Sequence, residues 1–113
     1  MAACQQPEGY WTRSLLDPEH APGPETSGTA FFTYGLLWGM NNGFLDKATY
    51  QPVVEKAWKY LTTVALQPDG RIGYVQPIGE KAIPGQVVDA NSTANFGVGA
   101  FLLAACEMVR FLN

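Results

Sequence analysis

PGPETSGTAFFTYGLLWGM, residues 22–40, is the stretch on which the fold turns. Pro22 and Pro24 stiffen the approach, and the hydroxyls of Thr26 and Ser27 offer caps for a helix over about Gly28–Asn42. Asn41, Asn42 and Gly43 supply its stop, since Asn and Gly tolerate the left-handed conformation that ends helices. The helix is apolar on nearly every side, although small residues and hydroxyls fill its middle. A surface helix carries one apolar stripe, whereas one that is apolar all round must be covered by protein or lipid. This one is shorter than the roughly 20 residues a membrane crossing needs. It therefore reads as an inner helix with a polar loop at its mouth.

Working outward, a second helix is expected from Thr49 to about Leu66, with Thr49 as N-cap and Pro52 in the first turn, where its missing N–H has no helical partner. Val54, Trp58, Leu61 and Ala65 recur at three- and four-residue spacing, with Glu55, Lys56, Lys59 and Thr62 opposite. That is an ordinary one-sided helix. Gln67-Pro68-Asp69-Gly70 marks a turn before the short strand-like segment 71–76, and 77–90 is a Pro/Gly-punctuated loop. Asn91-Ser92-Thr93 then caps a last helix over Ala94–Leu112. Gly35, Gly39 and Gly43 form a small-residue row on the first helix, and Gly97, Ala100 and Ala104 form another on the last. An interior Gly costs about 1 kcal/mol relative to Ala, which makes sense where a neighbouring helix must come close. Trp38 and Trp58 fall at core spacing.

Composition narrows the function. A hydrophobic share of 47% with 15% charged residues fits a globular chain. A net charge of −3 without any Lys/Arg cluster argues against nucleic acid. The longest clean apolar run, Val98–Cys106, is too short to span a membrane, and residues 1–11 lack the pattern of a secretory signal. No address can be read, so localisation stays open. Cys4 and Cys106 are expected to be free, Cys106 as a small buried hydrophobe. A lone His20 beside Asp17 and Glu19 is a poor metal site and reads as a solvated loop residue. Glu107 and Arg110 read as a helix-surface ion pair.

Two helices apolar all round cannot both be covered by one amphipathic partner. Alternating inner and outer helices build closed α/α barrels, and this chain holds only about one and a half hairpins. WTRSLLDPEHAPGPETSGTAFFTYGLLWGMNNGFLD (11–46), YQPVVEKAWKYLTTVALQPDGRIGYVQPIG (50–79) and FGVGAFLLAACEM (96–108) resemble the C-terminal part of glycoside hydrolase family 105, the unsaturated rhamnogalacturonyl hydrolases related to the glucuronyl hydrolases of family 88. Trp11, Leu16-Asp17, Glu25-Thr26-Ser27-Gly28 and Gly99–Ala104 mark the resemblance best. It implies an all-α fold, part of an (α/α)6 six-hairpin barrel, with 1–113 as an incomplete C-terminal segment. It also implies an oligosaccharide substrate ending in an unsaturated uronic acid, opened by hydration of its vinyl ether. No metal or organic cofactor is implied. The bacterial cytoplasm or periplasm is the implied compartment.

The family's catalytic Asp belongs to earlier hairpins, and no segment here matches it; Asp17, Asp46, Asp69 and Asp89 do not inherit the role. What the chain can offer is pocket wall: Glu25, Thr26 and Ser27 at a helix N-terminus that favours an anion, Trp11 as a stacking face, and Gln76 from the strand-like segment. Plain capping is the competing reading of the first three, and loop packing that of Trp11. The charge of Glu25 argues against its touching a uronate directly. The expected partners are the oligosaccharide and the remaining barrel segment or another copy of the chain. Two other readings stand beside the hydrolase: a different six-hairpin glycosidase or lyase, and a helical oligomerisation module without catalysis.

Overall fold

The first two α-helices of this chain start at carboxylates rather than at the hydroxyls that follow them. The computed structural model describes residues 1–113, with α1 at Thr26–Asn41, α2 at Lys47–Tyr60 and α3 at Asn95–Leu112. Glu25, not Thr26 or Ser27, is the N-cap of α1, and its side chain accepts from the N–H groups of Ser27 and Gly28. Asp46, not Thr49, caps α2, accepting from the Thr49 N–H at 2.9 Å and the Thr49 hydroxyl at 2.7 Å. These bonds hold the Asp46 carboxyl below its ordinary range. The earlier start moves Pro52 out of the first turn and into the helix. Asn91 and Ser92 do not cap α3 either. They close a turn on Asp89, leaving Ala94 as an N-cap with no side-chain bond.

At its far end α2 passes into a π-helical turn, Leu61–Ala65, closed by the Leu66 N–H on the Leu61 carbonyl at 3.0 Å. The Thr62 and Thr63 hydroxyls bond back to the carbonyls of Trp58 and Lys59 at 2.9 and 2.6 Å. Such side-chain competition for helix carbonyls loosens the regular ladder at this point. The segment 71–76 is only partly strand-like: its one ladder contact is an antiparallel bridge between Ile72 and Leu66, and Tyr74 turns to positive φ. Its other backbone groups are spent on loops and on the start of α1: Tyr74 N–H to the Asp89 carbonyl, Val75 N–H to that of Ser92, and the Tyr74 carbonyl from Thr26 N–H. The chain is thus all-helical apart from this strand-like thread.

α1 packs chiefly against α3 and secondarily against α2. Thr29, Ala30, Thr33, Leu37 and Met40 are buried at three- and four-residue spacing along α1, and Ala30 shares a core cluster with Ala100 of α3. The close approach therefore rests on Ala and Thr, not on the glycine row expected for α1. Gly35 is exposed, Gly43 adopts φ +80° at the helix end, and Gly39 makes room for Leu45, whose Cδ1 would lie 2.6 Å from an added Cβ. The row on α3 does pack: Gly97 abuts Val75, while Ala100 and Ala104 are buried.

Several expected core positions lie outside. Trp38 is 43% exposed and stacks on Phe44 with ring centroids 5.5 Å apart, while Trp58 is half-buried against Phe101. Cys106 is exposed rather than buried, and both cysteines are free. Glu107 reverses its expectation: it pairs with Arg110 at 3.1 Å, but it is only 4% exposed and takes a second bond from Asn41 of α1 at 3.2 Å. The helix-surface pair is in fact an interhelical tie. Phe31, Leu102, Leu103 and Val109 leave apolar surface open on α1 and α3. By length and a mean hydropathy of 1.4, α3 meets the requirement for a membrane crossing. Its Ala row nevertheless lies against α1, with Glu107 bonded across the contact.

The N-terminal loop is stitched to α2 at Gly9, which adopts φ +101° and whose missing Cβ would overlap the Lys56 carbonyl. Gln5 Nε2 binds the carbonyls of Gly9 and Val53 beside it, at 3.0 and 2.9 Å. Gly9→Ala is expected to cost about 2 kcal/mol or more, from backbone strain and displacement of α2. A lower urea midpoint at unchanged slope is the measurement that checks it.

Candidate functional site

The mouth of α1 is a knot of polar groups with no loose ends. Glu25 is 2% exposed and its carboxylate only accepts: Oε1 from Gly28 N–H at 2.7 Å, Oε2 from Ser27 N–H and from Gln76 N–H, both at 3.0 Å. The Ser27 hydroxyl donates into the same carboxylate, 2.9 Å from either oxygen. An anion at a helix N-terminus is favoured by the free N–H groups and the macrodipole. Here the protein's own carboxylate occupies that place. The expectation that this terminus receives a substrate carboxylate is therefore corrected: its N–H groups are already spent.

Thr26 faces the other way. Its hydroxyl is fully buried, 2.6 Å from the Gly73 carbonyl and 2.8 Å from the Tyr60 hydroxyl. The carbonyl can only accept, so Thr26 donates to it and Tyr60 donates to Thr26. With Thr26 N–H on the Tyr74 carbonyl at 2.8 Å, this residue welds α1 to the 73–74 thread and to α2. Tyr74 is the one non-glycine residue with positive φ, +62°, a conformation of modest cost held by hydrogen bonds on both sides. Beyond it, Val75 enters the core against Gly97 while Gln76 emerges beside Ser27.

Ser27 and Gln76 line one cavity of about 330 Å³, walled by the 77–86 loop and floored by Phe96 of α3. Of the five residues named from the sequence, these two are brought together at an accessible surface. Glu25 stands behind them and Thr26 lies deeper in the core. Trp11 is not a sugar platform: it is 1% exposed, meets Phe32 edge-on at 5.2 Å, and spends its indole N–H on the Met1 carbonyl at 2.9 Å. Loop packing, the competing reading, explains it.

Sequence reasoning missed Arg13. Its guanidinium reaches the Gln86 side chain at 3.1 Å and the Gln86 carbonyl at 3.3 Å, closing the loop over the cavity. No local pattern signals a contact across 73 residues. His20 Nε2 sits 3.4 Å from the Ala82 carbonyl of the same loop, and no three metal-ligating side chains converge anywhere. The cavity thus offers hydroxyl, amide and guanidinium groups, with the charged Glu80 and Lys81 and the Phe96 ring also in its lining. That set suits a polar ring with an apolar face.

Helices that leave apolar faces open, with a polar cavity at the mouth of α1, describe one arc of a larger helical assembly. Residues 1–112 match the profile of Glycosyl Hydrolase Family 88, and the chain belongs to that family. It is 46% identical over 106 residues to the Unsaturated 3S-rhamnoglycuronyl hydrolase of Formosa agariphila, covering 94% of this chain and 27% of that protein. Among solved structures, a family 88 glycosyl hydrolase from Bacteroides vulgatus superposes with a TM-score of 0.92 at 79% identity, over 97% of this chain and 32% of its own. A structure described as a polysaccharide lyase superposes with a TM-score of 0.91 at 89% identity, over 98% and 31%. These neighbours are six-hairpin barrel proteins, and the chain spans about a quarter to a third of the length of the relatives it matches.

Burial raises the Tyr60 phenol far above its ordinary pKa of 10, with Glu25, Tyr74 and Tyr10 adding in the same direction against the Thr26 bond. Above pH 10 the unfolded chain releases this proton and the folded one keeps it. The stabilisation is therefore complete below pH 10 and lost as pH rises through the alkaline range. Unfolding free energy is expected to fall by about 1.4 kcal/mol per pH unit above pH 10, and Tyr60→Phe to flatten that slope. Denaturant titrations between pH 9 and pH 11 check both.

Proposed function

We propose that this chain is one arc of an (α/α)6 barrel that acts on oligosaccharides ending in an unsaturated uronic acid. The match of residues 1–112 to family 88 carries this reading. The reaction is hydration of the C4–C5 vinyl ether, in which a carboxylic acid protonates C4 and its conjugate base directs water to C5. The hemiketal then opens and releases the neighbouring sugar. One carboxyl group alternating between acid and base suffices, in contrast to the paired carboxylates of ordinary glycosidases. No residue of this chain is assigned that role. Glu107 is tied to Asn41 and Arg110, Asp46 and Asp69 cap local turns, and Glu25 is enclosed by donors. The chain contributes wall, with Ser27 and Gln76 facing the sugar and Arg13 holding the loop.

The partner that completes the site is the rest of the barrel, seated on Phe31 and Trp38 of α1 and on Leu102, Leu103 and Val109 of α3. Exposed apolar faces of this extent mark interaction surfaces. Alone, the chain is expected to elute as an associated species in size-exclusion chromatography and to show no turnover. A compact, well-behaved monomer would point to helices that need no such cover.

A second reading has its own support in the 89% identical structure described as a polysaccharide lyase. The two chemistries meet at the same double bond and move it in opposite directions. A lyase creates the C4–C5 double bond by elimination, removing the C5 proton and expelling the C4 oxygen, and the hydrolase consumes it by hydration. The complete barrel, given lyase-generated oligosaccharides and separately an intact uronate-containing glycan, separates them by ultraviolet absorbance. Falling absorbance with the first substrate is the expected result; rising absorbance with the second would establish the lyase.

A further inference from the structure

We propose that Glu25 is a positioning residue which fixes Ser27 as a hydrogen-bond acceptor for a sugar hydroxyl and sets Gln76 beside it. This rests on the carbohydrate-binding reading above. Ser27 is buried apart from the sliver that lines the cavity, and it owns one hydroxyl proton, which is directed into the Glu25 carboxylate 2.9 Å away. Only its lone pairs remain for a ligand. A wall that presents an acceptor, backed by a buried negative charge, recognises a group with a proton to give. A neutral hydroxyl meets that condition and a uronate carboxylate does not.

The second half of the device is the 3.0 Å bond from Gln76 N–H to Oε2 of the same carboxylate. Residues 25 and 76 are far apart in sequence, yet one side chain ties the start of α1 to the point where the thread turns into the cavity loop. Ser27 and Gln76 therefore hold a fixed spacing, and substrate binding need not order them. Pre-organisation of this kind shows as affinity.

Aspartate caps helices as well as any residue, but it is one methylene shorter and cannot hold both Gln76 N–H and the α1 terminus. In the complete barrel, Glu25→Asp is expected to keep the melting profile of a folded protein and kcat within about threefold, while KM rises roughly five- to tenfold. Ser27→Ala should raise KM by a similar factor, and Ser27→Thr, which restores the hydroxyl, should recover most of it. In the Ser27→Ala background Glu25→Asp should add little, because the two act through one contact. An unchanged KM in Glu25→Asp, or fully additive effects in the double variant, would overturn the assignment. If Glu25→Asp fails to fold, an unaltered KM in Ser27→Ala does so alone. KM is measured equally well from rising or falling absorbance, so hydrolase and lyase chemistry leave this test intact. A wild-type barrel inert on both substrates would instead sink the functional reading, and the inference with it.

Discussion

The carboxylate of Glu25 is shared between two pieces of chain that lie far apart in sequence. It satisfies the first N–H groups of an inner helix, which would otherwise be orphaned in a buried position, and the N–H of Gln76 arriving from the loop before α3. Burying a carboxyl group is costly unless every lone pair finds a donor. Here it finds backbone donors on two elements and a hydroxyl between them. The relative placement of α1, the 73–76 thread and the cavity follows from that one requirement. Thr26 reinforces it from the opposite side through Gly73, Tyr74 and Tyr60.

Beyond this knot, α1 and α3 are covered on one side and carry apolar side chains into open space on the other. One side of α1 packs on α3, with Ala30 and Ala100 in one core cluster, and Glu107 and Asn41 pin the far end of the same crossing. The opposite sides of both helices carry Phe, Trp, Leu and Val into open space. In a closed ring of hairpins each inner helix has a neighbour on either side, so a chain spanning about a quarter of its relatives' length leaves the cut faces bare.

Periodicity made the helices legible because each apolar residue reports locally on its own environment. Asn42 and Gly43 as a stop and the turn at Asp69-Gly70 were likewise written in a few adjacent residues. The errors share a cause. Asp46 and Glu25 displaced the expected caps because a carboxylate one to three residues ahead takes the free N–H groups of the first turn. Trp38 was assigned to the core because its spacing is that of a core residue, and spacing cannot say which neighbour is absent. Cys106 and Glu107 exchanged their expected environments for the same reason: a one-residue step rotates a helix position by about 100°.

By itself the sequence determined an all-α chain of three main helices, its family resemblance, and the polar loop that leads into α1. These depend on local composition and on motifs carried by contiguous residues. Tertiary structure alone decided that Trp11 is core, that Thr26 welds helices, that Arg13 closes a loop 73 residues away, and that Ser27 and Gln76 share a cavity. Each of those outcomes requires two distant segments to be near one another. Their proximity is set by which buried polar groups can satisfy each other, and no single stretch of chain contains that information.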